Sequence, residues 1–354
     1  MQKTGAIVVG LLALLAVSAI AAPVKSMIGA TSVSWDRRKL DPIPYWGLCF
    51  TAEEPNVVVN MSKTGSPPVV TLETSRDGVT WIPFDADGGT TPITLKKAGD
   101  YVYFKAGEGG NERISESTSS YRTFTIANGR CGANGNIMSL LNGEDSENTT
   151  ISGTHCFFSL FRACRLLTSA PQLPALQLTS FCYFGMFTQC SRLTIPPQLP
   201  AKSVPSNGYR TMFYACTSLI SAPELPATTL GSYCYLEMFN GCSSLTTGPD
   251  VLPATSLQNY CYSEMFKSCK KLTIAPKLPA TRLVTACYNA MFSGCSSLTN
   301  IEVRFSNWSN NLNNWVQSVA PTGTFYCPMT LGTNDTIERG ASRCPTGWTV
   351  ENID

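Results

Sequence analysis

A unit of about 26 residues recurs six times between residues 156 and 298, and it limits what this chain can fold into. Each unit has an aromatic residue near its start, Leu or Met followed by Phe, then a cysteine and a leucine, all at constant spacing. In the first five units a proline-rich Leu-Pro segment follows. A unit this small cannot bury its own apolar face and must stack on its neighbours. The repeat therefore predicts a solenoid.

The constant apolar residues of a unit fall at positions 1, 5, 9 and 12, a spacing that keeps side chains on one face of a helix. We therefore predict a short helix at the start of each unit. A short parallel strand should follow and end at the proline, which has no N–H for the strand ladder. The predicted fold class is an α/β solenoid of leucine-rich repeats preceded by a small all-β sandwich. Its structural core should include Cys164, Cys190, Cys216, Cys242, Cys269, Cys295, Phe187, Phe213, Phe239 and Phe266.

The chain has fifteen cysteines, of which eleven lie in the repeats. Two cysteines eight residues apart on a helix are separated by about 12 Å, whereas a disulfide needs Cα atoms within about 7 Å. We expect these eleven thiols to be free and buried. Zinc sites use closer cysteine pairs, so we predict no metal and no cofactor. Cys327 and Cys344 lie in turn-rich sequence and are a possible disulfide, while the pairing of Cys49 and Cys131 stays open.

Seven short β-type runs lie at 48–51, 57–61, 69–74, 79–84, 92–95, 101–105 and 121–126, separated by turn residues. They predict a β-sandwich over residues 45–130. Asp77-Gly78 predicts a hairpin with a type I′ turn, in which both turn residues have positive φ. Trp81 is expected in the core of the sandwich, with a role in stacking on a sugar as the alternative.

The remaining boundaries follow from composition. Residues 1–22 have a basic residue, an apolar run and a small-x-small site, as in a signal peptide; the alternative is an uncleaved hydrophobic segment. Residues 23–44 are a linker, and 131–155 are predicted to cap the N-terminal end of the solenoid. The six repeats occupy 156–306, and 307–354 form a C-terminal cap with late strands at 323–327 and 347–350.

The repeat Cys-Tyr-x-x-Met-Phe-x-x-Cys-x-Ser-Leu-Thr-x-Ala-Pro-x-Leu-Pro-Ala-Thr resembles the leucine-rich repeats of BspA-like bacterial surface proteins. It is also similar to repeats in proteins of gut bacteria and of their phages and prophages. There it often follows a β domain with a Ser-x-Asp-Gly-x-x-Trp motif, found here at residues 75–81. The resemblance implies adhesion to host matrix, host cells or glycans, and no catalytic residues.

Charge and composition argue against two classes of function. The net charge is +2 with only 14% charged residues, unlike a nucleic-acid-binding protein. The single histidine, His155, has no recognisable nucleophile or acid around it, so we predict that the chain is not an enzyme. We expect a secreted or cell-surface adhesion protein that binds a host surface protein or glycan. The alternatives are a virion component of a phage or prophage, such as a receptor-binding part of the tail, and a structural spacer. Membrane contact is expected only during export or through an uncleaved N-terminal segment.

Two columns of side chains are candidates for recognition. One is polar and follows the proline of each unit, and its variation also fits an ordinary solvated face: Gln172, Gln198, Glu224, Asp250 and Lys277. The other is the tyrosine column from Tyr183 to Tyr288, whose rings either stack on sugars or pack on one another.

Overall fold

The computed structural model describes residues 47–87, 92–144 and 148–353. The predicted signal peptide and linker lie outside these residues. No helix in the described part of the chain is long and apolar enough to cross a membrane.

Eight strands form the described N-terminal part of the fold. They are β1 (Leu48–Ala52), β2 (Val57–Thr64), β3 (Leu72–Ser75), β4 (Ile82–Phe84), β5 (Ile93–Leu95), β6 (Tyr101–Ala106), β7 (Tyr121–Ala127) and β8 (Cys131–Asn134). One antiparallel sheet has the order β4-β3-β6-β1-β8 and the other β5-β2-β7. Phe50 of the first sheet and Phe124 of the second have ring centroids 4.9 Å apart, so the two inner faces meet in one core. The predicted antiparallel β domain is confirmed.

The type I′ turn predicted at Asp77-Gly78 is wrong. Thr74 pairs with Ile82, so the connection is a longer loop, and of the two turn residues only Gly78 has positive φ, at 75°. The Asp77 carboxylate instead accepts hydrogen bonds from the N–H groups of Thr80 at 2.7 Å and Val79 at 2.8 Å, and from the Ser75 hydroxyl at 2.8 Å. These bonds lower the pKa of Asp77 well below its usual range. Asp77 thus shapes the loop through its side chain.

The prediction that Trp81 lies in the main core of the sandwich is wrong. Trp81 packs with Cys49 and Tyr103 in a separate cluster, and Lys105 Nζ lies 4.3 Å from the centre of its ring. Cys49 is opposite Asn134 in the sheet, whereas Cys131 is opposite Ala52, three residues further along β1. Strand residues three apart point to opposite faces, so Cys49 and Cys131 do not pair.

The predicted helix in each repeat is wrong. The described residues contain one α-helix, α1 (Ser139–Asn142), which precedes the repeats. In the fourth repeat the N–H groups alternate between two kinds of partner. Those of Tyr235, Glu237 and Phe239 donate to carbonyls of the next repeat at 2.9–3.0 Å. Those of the residues between them close turns three residues back, as from Met238 to the Tyr235 carbonyl at 3.2 Å.

The backbone is left-handed at every fourth residue of this turn segment, which a helix would not allow. In the fourth repeat these residues are Tyr233, Glu237 and Gly241, with φ of 61°, 55° and 78°. Side chains other than glycine adopt this conformation at a cost of about 1 kcal/mol or more. The hydrogen bonds to the next repeat hold the segment in this shape, because a buried N–H group without a partner is costly.

The cost of the left-handed conformation can be tested at the residue before the second cysteine of each repeat. Ala215 and Gly241 occupy this position in neighbouring repeats and are both left-handed, with φ of 56° and 78°. We expect Ala215→Gly to raise the free energy of unfolding by about 1 kcal/mol and Gly241→Ala to lower it by a similar amount. Space is not limiting, since a Cβ on Gly241 would lie 3.5 Å from the Ala215 Cα. Urea unfolding measures both changes. Ala222→Gly, at a position without positive φ, is the control and should lower stability; a gain there would contradict the explanation.

The second half of each repeat pairs in parallel with the next, mostly through single bridges. Examples are Ser169 with Ile195 and Ser221 with Thr247. Regular parallel strands occur at β9 (Ser203–Val204) with β10 (Thr229–Leu230), and at β11 (Asn300–Glu302), β12 (Thr324–Cys327) and β13 (Thr349–Asn352). Two 3₁₀-helices, Asn310–Leu312 and Met329–Leu331, lie between these last strands. Trp315 lies in a run of turns between the first of these 3₁₀-helices and β12.

A column of phenylalanine rings runs through the repeats, with neighbouring centroids 5.3–5.9 Å apart. It starts in the β domain, where Phe124 stacks on Phe161 at 5.5 Å, and ends against Trp315 at 6.2 Å. β8 also belongs to both parts, because it pairs with β1 on one side and Cys131 bridges Leu167 on the other. The β domain therefore covers the first repeat directly.

The last strand is covered at its outer edge by a side chain. Asn334 accepts from the Val350 N–H at 2.7 Å and donates to the Val350 carbonyl at 3.0 Å. One amide thus occupies both backbone groups that a further strand would need. Exposed edges recruit other chains, and this contact blocks the edge of β13 at its centre.

Candidate functional site

The parallel bridges create a surface that we call the ladder face. Its first row contains the five polar residues singled out above, and all five are exposed: Gln172, Gln198, Glu224, Asp250 and Lys277. The row continues beyond the repeats, because Glu302 is opposite Tyr326 and Tyr326 is opposite Glu351. The second row of the face is Ser169, Ile195, Ser221, Thr247, Ile274, Asn300, Thr324 and Thr349.

The register of the row differs from the sequence alignment at the fourth repeat, which is one residue longer than its neighbours. Val251, not Asp250, is directly opposite Lys277. The Asp250 carbonyl accepts the Lys277 N–H at 3.0 Å, and the Leu252 N–H donates to the Lys277 carbonyl at 3.1 Å. Asp250 therefore lies one residue out of register with Lys277 in the first row.

A groove of about 780 Å³ lies on the ladder face where the repeats meet the C-terminal strands. It contains Asp250 and Lys277 from the predicted column but not Gln172, Gln198 or Glu224. The side chains of Asn300, Glu302 and Tyr326 also line it. We had not predicted these three residues, and the signal that would have found them is the continuation of the parallel register past the last repeat.

The charges in the groove are partly paired. Lys277 Nζ is 3.3 Å from Glu302 Oε2, and Arg304 is 3.3 Å from the other oxygen of the same carboxylate. Asp250 makes no ion pair among the described residues. Nowhere in the described part of the chain do three His, Cys, Asp or Glu side chains come together as a metal site would require.

The core cysteines follow the phenylalanine column and have a hydrogen-bonding role that we did not predict. The Cys242 thiol donates to the Phe213 carbonyl at 3.0 Å, and the bond recurs in every repeat at 2.8–3.1 Å. The same carbonyl already accepts the Cys216 N–H at 3.1 Å. Cysteine thus uses the second lone pair of a buried carbonyl in the preceding repeat, or in β7 for the first repeat, while remaining small enough for the backbones to stack.

Burial also makes these thiols unreactive. It raises the pKa of Cys242 and Cys295 to about 12, and the thiolate is the species that reacts. We expect iodoacetamide at pH 8 to leave the six core thiols of the native protein unmodified and to label all of them in concentrated urea. Mass spectrometry of the labelled peptides measures this. Rapid native labelling of the Cys242 peptide would show that the repeats open far more readily than their packing indicates.

The tyrosine column is buried rather than displayed. The rings from Tyr183 to Tyr288 are each 1% exposed and stack on their neighbours at 5.5–6.0 Å. They therefore present no face to a sugar. His155 is half-buried and stacks on Phe181 at 4.4 Å, and burial lowers the pKa of its imidazole.

The two C-terminal cysteines are free thiols in the structure, like the other thirteen. Cys327 is the last residue of β12. Cys344 lies in the segment between β12 and β13, where its backbone forms an isolated β-bridge with Arg339. Burial raises the pKa of each to about 11.

The fold is thus an antiparallel β domain joined to stacked repeats with buried columns of aromatic residues and cysteines. No family model matches the chain, and no curated protein matches it either. A solved structure of a leucine-rich repeat protein from Bacteroides ovatus is distantly similar, at 18% sequence identity and a TM-score of 0.25. The similarity covers 62% of this chain and 66% of that protein, so this chain spans slightly less than two thirds of its length.

Proposed function

We propose that this chain is a non-catalytic adhesion or binding protein, secreted or displayed on a cell surface, whose repeats form a leucine-rich-repeat solenoid of the BspA-like type. Its partner is a host surface protein or glycan, which it recognises through the ladder face. The observation that supports this most is that the buried residues of the repeats are nearly constant while the exposed residues of the ladder face vary. The buried columns are nearly constant from repeat to repeat, whereas the exposed first row changes from glutamine to glutamate and lysine.

Binding of the full chain to an array of host matrix proteins and glycans tests the proposal. We expect at least one ligand to bind at least about tenfold more weakly to the triple variant Gln198→Ala/Glu224→Ala/Asp250→Ala. Residues at the centre of a binding site contribute affinity of this size. Arg162→Ala, an exposed residue of the turn segment, is the matched control and should bind normally.

Two results would contradict the proposal. Absence of any ligand on the array would favour a structural spacer. Recovery of the chain with an intact N-terminus from phage particles would place it in a virion instead of on a cell surface.

A further inference from the structure

The groove on the ladder face is crossed by four neighbouring backbone segments. These are the fourth and fifth repeats followed by β11 and β12, joined by the bridges of Val251 with Lys277 and Ile274 with Asn300 and by the pairing of β11 with β12. Neighbouring strands are about 4.8 Å apart, so the groove extends roughly 14 Å across them. Each segment contributes a polar side chain to it: Asp250, Lys277, Glu302 and Tyr326.

The backbone of the groove has little to offer a peptide. The Ala275 N–H donates to the Asn300 carbonyl at 3.0 Å and the Leu278 N–H to the Glu302 carbonyl at 3.1 Å. A peptide that binds by adding a strand needs a free sheet edge. The nearest edge belongs to β13, where Asn334 already engages Val350. Recognition in the groove must therefore use side chains.

The charges of the groove do not favour a strongly charged ligand. Its lining includes two carboxylates and one ammonium group. Lys277 lies 3.3 Å from Glu302, and Arg304, beside the groove, lies 3.3 Å from the other oxygen of the same carboxylate. The two cations therefore balance the charges of Glu302 and Asp250. An anion would find both cations engaged by Glu302, and a polycation would meet only the Asp250 carboxylate outside that cluster, so neither gains much from electrostatic attraction.

The rest of the lining is rich in hydroxyl and amide groups beside apolar surface. The hydroxyl groups are those of Thr246, Thr247, Thr273 and Tyr326, and Asn300 provides the amide. Ile274, which is 61% exposed, and the Tyr326 ring provide the apolar contacts. Neutral donors and acceptors beside an aromatic ring complement a ligand that carries many hydroxyl groups on apolar rings.

We infer that the groove binds a neutral oligosaccharide that lies along the first row, across the strands. This inference rests on the proposed function and names its ligand class. About three sugar rings in an extended chain match the length of the groove, with Tyr326 beneath a ring at one end and Asp250 accepting from sugar hydroxyls at the other.

The test is titration of the full chain with neutral tetrasaccharides of glucose, galactose, mannose and N-acetylglucosamine, alongside their sulfated and sialylated counterparts. We expect saturable binding of a neutral probe and at least about tenfold weaker binding after Tyr326→Ala, because a stacking ring is a typical central contact. Asp250→Asn, at an exposed position, should also weaken binding and does not disturb packing. Arg162→Ala, an exposed residue of the turn segment that does not line the groove, should leave binding unchanged.

The outcomes separate this inference from the broader proposal. If no neutral probe binds at millimolar concentration, or if only charged glycans bind, the inference is wrong. If a host protein binds and the groove variants abolish that binding, the inference is wrong and the ladder face remains the binding surface. If ligands bind but no ladder-face variant affects them, both are wrong.

Discussion

Replacing Phe239 by alanine is expected to lower the free energy of unfolding by about 3–5 kcal/mol. The ring is fully buried and lies between Phe213 at 5.5 Å and Phe266 at 5.4 Å. Its removal leaves a cavity in the middle of the stack, and the neighbouring rings cannot close it without breaking the backbone hydrogen bonds between repeats. Urea unfolding followed by far-ultraviolet circular dichroism measures the loss.

The matched control is Phe181→Ala. Phe181 belongs to the same repeat system, but it is half-buried and its ring stacks on His155 at the surface. We expect a loss below about 1.5 kcal/mol, because its cavity opens to water and less apolar area is lost. Equal losses in the two variants would mean that the phenylalanine column is not the main support of the repeats.

The second large effect is expected from Arg122→Ala in the β domain. Arg122 is only 2% exposed. Its guanidinium donates to the carbonyls of Pro68 at 2.6 Å and Ala86 at 3.1 Å, and it contacts the Asp87 carboxylate at 2.6 Å. Truncation leaves buried carbonyls without donors, and we expect a loss of about 3–5 kcal/mol in the free energy of unfolding.

Two further variants test that explanation. Arg122→Met fills most of the volume without restoring the donors, so it should be nearly as destabilising as alanine. Arg130→Ala removes an arginine that is 46% exposed and pairs with Glu54 at 2.8 Å, and it should cost less than about 1 kcal/mol. Full stability of the methionine variant would show that Arg122 acts by packing and that its hydrogen bonds are dispensable.

The β domain illustrates how far local patterns reach. Each of the seven short apolar runs contains a strand. The signals for these strands are local, because side-chain alternation and turn residues involve positions that are close together in the sequence. The loop after β3 did not follow its dipeptide signal. Asp77 accepts three hydrogen bonds through its side chain, and that competes with the backbone turn that Asp-Gly otherwise favours.

The repeats illustrate the opposite case. Apolar residues four apart fit a helix, and they fit equally a chain that turns every four residues. The choice depends on where the alternate N–H groups find acceptors. In this protein the Tyr235 N–H donates to the Cys261 carbonyl at 3.0 Å, in the next repeat. The sequence pattern of a single repeat cannot reveal this acceptor, because the acceptor belongs to the next repeat.

The sequence by itself determined the repeat, its length, the residues of the buried columns and the β domain before them, because each depends on side chains that recur at constant spacing. Only the tertiary structure decided that the repeats are turns rather than helices. It also extended the polar row through Glu302 and Tyr326 and moved Asp250 out of register with Lys277. The physical reason is the same in each case. These features depend on backbone hydrogen bonds between segments about 25 residues apart, which form only when the units stack.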